Sequence, residues 1–169
     1  GWNTMLVDGE WIPTFPNARY LIAEQEWTYW DANENEDLYG PVISDSVRPV
    51  VDAGMVDFVD DHFSLCKEVS LSPTPGHTPG HVSVLINSKK KRALITGDFI
   101  HHPVQMTNTD WCSPADYDKK QAQHTRESLL EKYVNQDILV IGTHFSSPTA
   151  GHIKFLEGGG YWLDIKNVK

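Results

Sequence analysis

Apolar residues along this chain form short runs separated by turns, a pattern typical of a mixed α/β protein. Continuous apolar runs predict buried strands at residues 82–87, 92–96 and 138–141, the first two as a hairpin. Shorter strands are expected at residues 18–23, 56–59, 66–71, 153–156 and 161–165. Glycines 158 to 160 separate the last two runs and indicate a terminal hairpin.

Helical spacing of apolar residues predicts three helices, at residues 24–30, 39–53 and 113–134. Pro49 should kink or restart the second helix, and Gly54 should end it. The third helix has a typical start signal, because Ser113 is followed by proline and, three residues on, by an acid. Residues 1–17 and 99–110 are expected to form loops.

The length of 169 residues favours one domain, and the net charge of -9 argues against nucleic-acid binding. No apolar run approaches the roughly 20 residues that a membrane span requires. The two cysteines form no C-x-x-C motif, and we expect them to be reduced in a cytoplasmic protein. Neither nucleic acid nor a membrane is therefore an expected partner.

The most informative stretch is residues 74–81, with the sequence TPGHTPGH, between two apolar runs. Its prolines and glycines predict a stiff loop that presents histidines. Asp98 follows a second apolar run, and His144 follows a third. Imidazole nitrogen and carboxylate oxygen suit zinc, and also manganese, cobalt or iron. Three potential metal ligands thus lie in loops next to buried strands, where α/β proteins place chemistry.

Residues 74–81, Gly97-Asp98 and residues 142–145 together resemble the metallo-β-lactamase superfamily. The segments GDFIHHPVQ at residues 97–105 and AGHI at residues 150–153 are most similar to the branch with methyl parathion hydrolase and the quorum-quenching lactonases. The opening segments GWN and FPNA resemble the stretch that follows the family motif His-x-His-x-Asp-His, which is absent here. The resemblance implies an αββα sandwich without its first strands, a single but N-terminally incomplete domain over residues 1–169.

The resemblance further implies a hydrolase with two divalent metal ions, zinc being favoured. The expected partner is a small-molecule substrate, an ester, a lactone or a phosphotriester-like compound, which a metal-bound hydroxide would attack. His77 is expected to bind the first metal and His144 the second. Asp98 is expected to bridge both metals, to orient the hydroxide and to accept or pass on a proton.

Other residues are expected near this site. His101, His102, Trp2 and Phe15 are predicted to face the substrate. The alternative is that the histidines bond to loop backbone and the aromatic residues cover the core. His81 and His152 are expected to form hydrogen bonds behind the ligands.

Asp98 with one histidine on each side should not hold two divalent cations by itself. We therefore expect this polypeptide alone to be inactive. The missing ligands are expected from an N-terminal segment of a larger enzyme or from a partner, for example in a homodimer. The alternative is a non-catalytic domain, an inactive fragment or assembly element with half of the metal site.

Overall fold

The computed structural model describes residues 2–33 and 41–166. The chain divides into two compact units, Gly1–Asp60 and Asp61–Lys169. The prediction of one domain over residues 1–169 stays a prediction. The first two residues of the helix predicted at residues 39–53 lie outside the described residues.

The first unit begins with a hairpin of two antiparallel strands, β1 (Thr4–Val7) and β2 (Glu10–Pro13). The turn between them consists of Asp8 and Gly9, whose φ angles are 52° and 88°. Two successive positive φ values match the right-handed twist of a two-residue hairpin. The predicted loop at residues 1–17 is therefore wrong over these strands. Most of their side chains are exposed, so their sequences do not show the expected alternation.

The rest of the first unit follows the predicted order of strand, helix, helix and strand. Its elements are β3 (Tyr20–Ala23), α1 (Glu24–Ala32), a π-helical turn (Ile43–Val47), α2 (Arg48–Asp52) and β4 (Val56–Val59). β3 and β4 pair in parallel. Pro49 stands in the first turn of α2, as expected for a restarted helix, and Gly54 follows its end with a φ of 67°.

The second unit is built on a sheet that contains, among the described residues, seven strands in the order β11-β10-β9-β8-β7-β6-β5. These strands are β5 (Ser64–Cys66), β6 (Val69–Pro73), β7 (Val82–Ser88), β8 (Lys91–Ile95), β9 (Leu139–Ile141), β10 (Ala150–Phe155) and β11 (Tyr161–Asp164). All neighbours are antiparallel except β8 and β9. Parallel pairing brings the carboxyl ends of β8 and β9 to one edge, and the turn from β6 to β7 lies at that same edge.

The structure corrects three predictions in this unit. The strand predicted at residues 66–71 is divided by a turn between β5 and β6. The predicted loop at residues 99–110 contains one helical turn, α3 (Val104–Thr107). The helix predicted from residue 113 starts later, as α4 (Lys119–Tyr133), and Asp118 caps it by accepting hydrogen bonds from two backbone N–H groups.

The core of the second unit lies between the sheet and α4. Its central members are Leu94, Ile100, Leu130, Ile138 and Ile153, each no more than 2% exposed. α4 also buries Arg126, whose guanidinium donates to the backbone carbonyls of the 99–111 segment. In residues 2–33 and 41–166, no helix has the length and apolar character needed to cross a bilayer.

Candidate metal centre

The turn at residues 74–81 is held against the start of α4. Thr74 N–H donates to the His81 carbonyl at 2.9 Å, which closes the turn, and Thr125 Oγ1 donates to the Pro75 carbonyl at 2.6 Å. Gly76 has a φ of 130°, and a Cβ there would stand 2.3 Å from the backbone nitrogen of Ala122. Only glycine fits this close approach between two backbones.

His77 points from this turn toward two carboxylates. Its Nδ1 lies 2.9 Å from Oδ1 of Asp116, and its Nε2 lies 3.4 Å from Oδ2 of Asp98. The His77 side chain is 15% exposed. Since the Asp116 carboxylate accepts a hydrogen bond, Nδ1 of His77 donates to it, and Nε2 is the ring nitrogen on the side of Asp98. A carboxylate behind the imidazole is the usual means of orienting a metal-binding histidine.

Asp116 was not predicted as a site residue, because the Ser113-to-Asp116 spacing is that of a helix start. Its Oδ2 accepts from the Ser113 N–H at 2.8 Å, so the local contact predicted by that spacing does form. Its other oxygen bonds to His77, which is 39 residues earlier in the chain. Burial tends to raise the pKa of Asp116, but the hydrogen bonds from His77 and Ser113 outweigh burial and leave this pKa lowered. Asp116 is therefore a buried, ionised support for His77.

Asp98 follows β8 and lies between two imidazoles. Its Oδ1 is 3.0 Å from Nε2 of His144, whereas its Oδ2 is on the side of His77. The backbone N–H of Asp98 donates to Nε2 of His81 at 2.8 Å, which fixes the position of the residue. Each carboxylate oxygen thus faces a different histidine.

His81 forms hydrogen bonds that connect the turn with the backbone of Asp98. Its Nε2 accepts from Asp98, so its Nδ1 carries the proton and donates to Thr74, 2.7 Å from Oγ1 and 3.0 Å from the carbonyl oxygen. The Thr74 hydroxyl also meets Ser83 at 3.1 Å, in a buried network. Both ring nitrogens of His81 therefore have protein partners and link the turn to Asp98.

His101 lies between the imidazoles of His77 and His144, and these three histidines together with Asp98 form one cluster. Its ring centroid is 5.1 Å from that of His77 and 5.1 Å from that of His144. Burial, and then the nearby His77, lower the pKa of His101, so its neutral form is favoured. Its Nδ1 is buried and has no hydrogen-bond partner among the described residues. One ligand atom each from His77, Asp98 and His101 lie within 4.8 Å of one another.

His102 and His152 do not belong to the group of ligand atoms from His77, Asp98 and His101. His102 is exposed, and its Nδ1 accepts from the Val104 N–H at 3.1 Å. The Nδ1 of His152 bonds to the Ile138 carbonyl, at the end of β9 opposite to His144. Trp2 and Phe15 belong to the first unit, and both side chains are exposed.

The clustered donors fit a divalent cation. Imidazole nitrogens and a carboxylate converge, Asp116 orients one of the imidazoles, and a buried nitrogen of His101 lacks a partner in the described chain. Zinc in catalytic sites is typically bound by three protein ligands of these types. The arrangement can therefore bind a cation next to a carboxylate that is one-third exposed.

The fold and the cluster define an α/β protein with a candidate metal centre at one sheet edge. The family model described as Metallo-beta-lactamase superfamily matches residues 1–144 of the chain. The chain belongs to the metallo-β-lactamase superfamily, whose members generally bind divalent metals. The predicted fold class is confirmed.

Solved structures with this fold are longer than the chain. The hydrolase AbOPH of the β-lactamase superfamily is 22% identical with a TM-score of 0.80, and the match covers 97% of this chain and 60% of that one. The dizinc quorum-quenching lactonase AidC is 20% identical (TM-score 0.72; 93% and 58% covered). A probable metal-dependent hydrolase from Staphylococcus aureus is 18% identical (TM-score 0.70; 92% and 56% covered). A comparison with curated protein sequences gave no match.

Proposed function

We propose that the protein is a metal-dependent hydrolase whose site includes His77, Asp98 and His144. The observation that carries this proposal is the Asp98 carboxylate, with one oxygen toward His77 and the other toward His144. A carboxylate so placed can be shared by two cations. Similar folds that include a named hydrolase and a named dizinc lactonase support the proposal.

Zinc is the cation we favour for this donor set, with manganese, cobalt or iron as alternatives. When bound, a divalent cation supplies Lewis acidity and lowers the pKa of its bound water to about 7. The chain itself holds the site in shape: Asp116 orients the His77 ring, and His81 fixes the Asp98 backbone. The carboxylate of Asp98 then takes up the proton of the attacking water and passes it toward the leaving group.

The proposed substrate is an uncharged ester, lactone or phosphotriester. A net charge of -9 disfavours multiply charged anions by repulsion. We retain Trp2, Phe15 and His102 as proposed substrate contacts, since their exposed side chains are available to a ligand. The free cysteines Cys66 and Cys112 support a cytoplasmic location, where thiols stay reduced.

The matched structures are longer than this chain, which spans 56% to 60% of their lengths. We propose that further ligands come from an additional N-terminal segment or from a second copy of the chain. Asp98 and the histidines around it are then one part of a larger metal site.

The test is hydrolysis of an acyl lactone, an aryl ester and a phosphotriester with added Zn²⁺. It uses the 169-residue chain alone and a longer chain that carries the proposed N-terminal segment with the motif His-x-His-x-Asp-His. Asp98→Asn should abolish turnover. Asp137→Asn, a change at an exposed carboxylate paired with Lys91, should leave turnover unchanged.

Two results would contradict the proposal that the protein is a hydrolase. One is turnover that survives Asp98→Asn. The other is a protein that folds without metal and hydrolyses none of the three substrates in either form, which is the behaviour expected of a non-catalytic domain.

A further inference from the structure

The geometry points to His101 as a third protein ligand of one cation, together with His77 and Asp98. This inference rests on the proposed metal site but changes the expected role of His101, from substrate contact to ligand. It implies that a cation binds with high affinity on the His77 side of Asp98 and that a second cation binds with lower affinity on the His144 side.

The first observation is proximity. One nitrogen from each of His77 and His101 and one oxygen of Asp98 lie within 4.8 Å of one another. Nε2 of His77 is already 3.4 Å from Oδ2 of Asp98, and the two imidazole centroids are 5.1 Å apart. Two loops supply these three donors, His77 from the 74–81 turn and both Asp98 and His101 from the segment after β8, and the donors converge as the ligands of a catalytic zinc do.

The second observation is the buried Nδ1 of His101, which has no hydrogen-bond partner among the described residues. Buried polar atoms almost always have partners, and an exception calls for a physical reason such as an absent ion. His102 provides the contrast, because its Nδ1 is already occupied by the Val104 N–H. The fold therefore provides a hydrogen-bond partner for Nδ1 of His102 but, within the described residues, none for Nδ1 of the adjacent His101.

The third observation is that the backbone of His101 is held in place. Oε1 of Gln105 accepts from the His101 N–H at 2.7 Å, and Nε2 of the same residue donates to the Trp111 carbonyl at 2.6 Å. Gln105 is buried, so this support is rigid.

The two sides of Asp98 are therefore unequal. The ligand atoms that lie within 4.8 Å of one another come from His77, Asp98 and His101, whereas His144 is outside this group and faces Oδ1 of Asp98 at 3.0 Å. Three protein ligands are typical of catalytic zinc, and two leave most of the coordination to water. The chain should bind one cation much more tightly than a second.

The experiment is a titration of the metal-free 169-residue chain with Co²⁺ alone. The d–d absorption of the bound Co²⁺ and calorimetry measure its affinity and its stoichiometry. We expect one tight cation per chain. His101→Gln should weaken it at least about 100-fold, and the matched control His102→Gln should change it less than about twofold. His144→Gln should retain the tight position and lose the weaker one.

X-ray absorption at one Co²⁺ per chain adds a measurement that does not depend on the His101 variant folding. We expect two imidazole ligands in the wild type and in His144→Gln. A single imidazole in His144→Gln, or a His101→Gln variant that binds as His102→Gln does, would overturn the inference.

His77→Gln and Asp98→Asn separate this inference from the proposed function. If they abolish binding while His101→Gln does not, the metal site stands without His101 as a ligand. If they leave binding unchanged, both the inference and the proposed metal site are wrong.

Discussion

Replacing Gly76 by alanine should damage the candidate site without altering any side chain that forms it. The φ of 130° at this position is one that other residues rarely adopt. The new Cβ would also stand 2.3 Å from the Ala122 nitrogen and 2.4 Å from its Cα, about 1 Å inside the 3.4 Å where ordinary contact begins. These atoms are backbone, so no side chain can rotate away.

The expected cost has two parts. Forcing a residue other than glycine into this backbone conformation costs of order 1–3 kcal/mol. Relieving the overlap separates the turn from α4 and breaks the hydrogen bonds from Asp118 N–H to Gly76 and from Tyr117 N–H to His77, now 2.9 and 3.0 Å long. At about 0.5–1.5 kcal/mol for each bond, we expect a total loss of roughly 2–6 kcal/mol.

Gly159→Ala is the matched control. Gly159 also has a positive φ, of 93°, but a Cβ there meets nothing within 4 Å. Only the conformational cost should remain, about 1–3 kcal/mol. Urea unfolding of both variants measures the difference, and Co²⁺ titration should show weaker binding in Gly76→Ala alone, because His77 is the next residue. Free energies of unfolding that agree within about 0.5 kcal/mol would refute the reasoning.

Three further changes test the surroundings of the cluster. Asp116→Asn should lower Co²⁺ affinity about 10- to 100-fold, because an amide cannot replace both acceptor oxygens behind His77, and competition with a chelating indicator measures it. Arg126→Met should destabilise the protein by about 2–4 kcal/mol in urea, since it leaves buried carbonyls such as that of Phe99 without their donor. In the metal-free chain, the lowered pKa of His101 means that the unfolded state binds a proton near pH 6.5 before the folded state does. The free energy of unfolding should therefore fall as pH drops below about 6.5, by at most about 1.4 kcal/mol per unit, and less steeply in His101→Gln.

The strands next to the site could be predicted because their apolar runs are continuous and end at clear turn signals. The run from Val82 became β7 with its predicted start, and the run ending at Ile141 became β9. The positions of His77, Asp98 and His144 beside such runs are the reason that they were predicted as metal ligands. The structure brings them together, because β8 and β9 are parallel and the turn after β6 lies at the same sheet edge.

The start of α4 could not be predicted, because a long-range contact competes with a local signal. The serine, proline and acid at residues 113–116 form the expected short-range bond. However, the N–H groups of Tyr117 and Asp118 are taken by the carbonyls of His77 and Gly76, so the helix starts only at Lys119. The same contact hides the role of Asp116, because nothing in its neighbourhood indicates a partner 39 residues away.

The β1–β2 hairpin was missed for a different reason. Asp8 and Gly9 do indicate a turn, but the flanking strands are four residues each and mostly exposed. Without a buried face, hydrophobic alternation is weak and a strand is hard to distinguish from a loop.

The link between the 74–81 turn and the start of α4 has a kinetic consequence. His77 meets its carboxylate across 39 residues of sequence, and Asp98 meets His144 across 46. Contacts of such high order form only when large loops close, which makes them late and slow steps of folding. Apart from Asp98 and His101, which are three residues apart, the cluster therefore has no local precursor in the unfolded chain. Its ability to capture a cation should arise in the same kinetic phase as the native sheet, so that cation capture reports on completed folding.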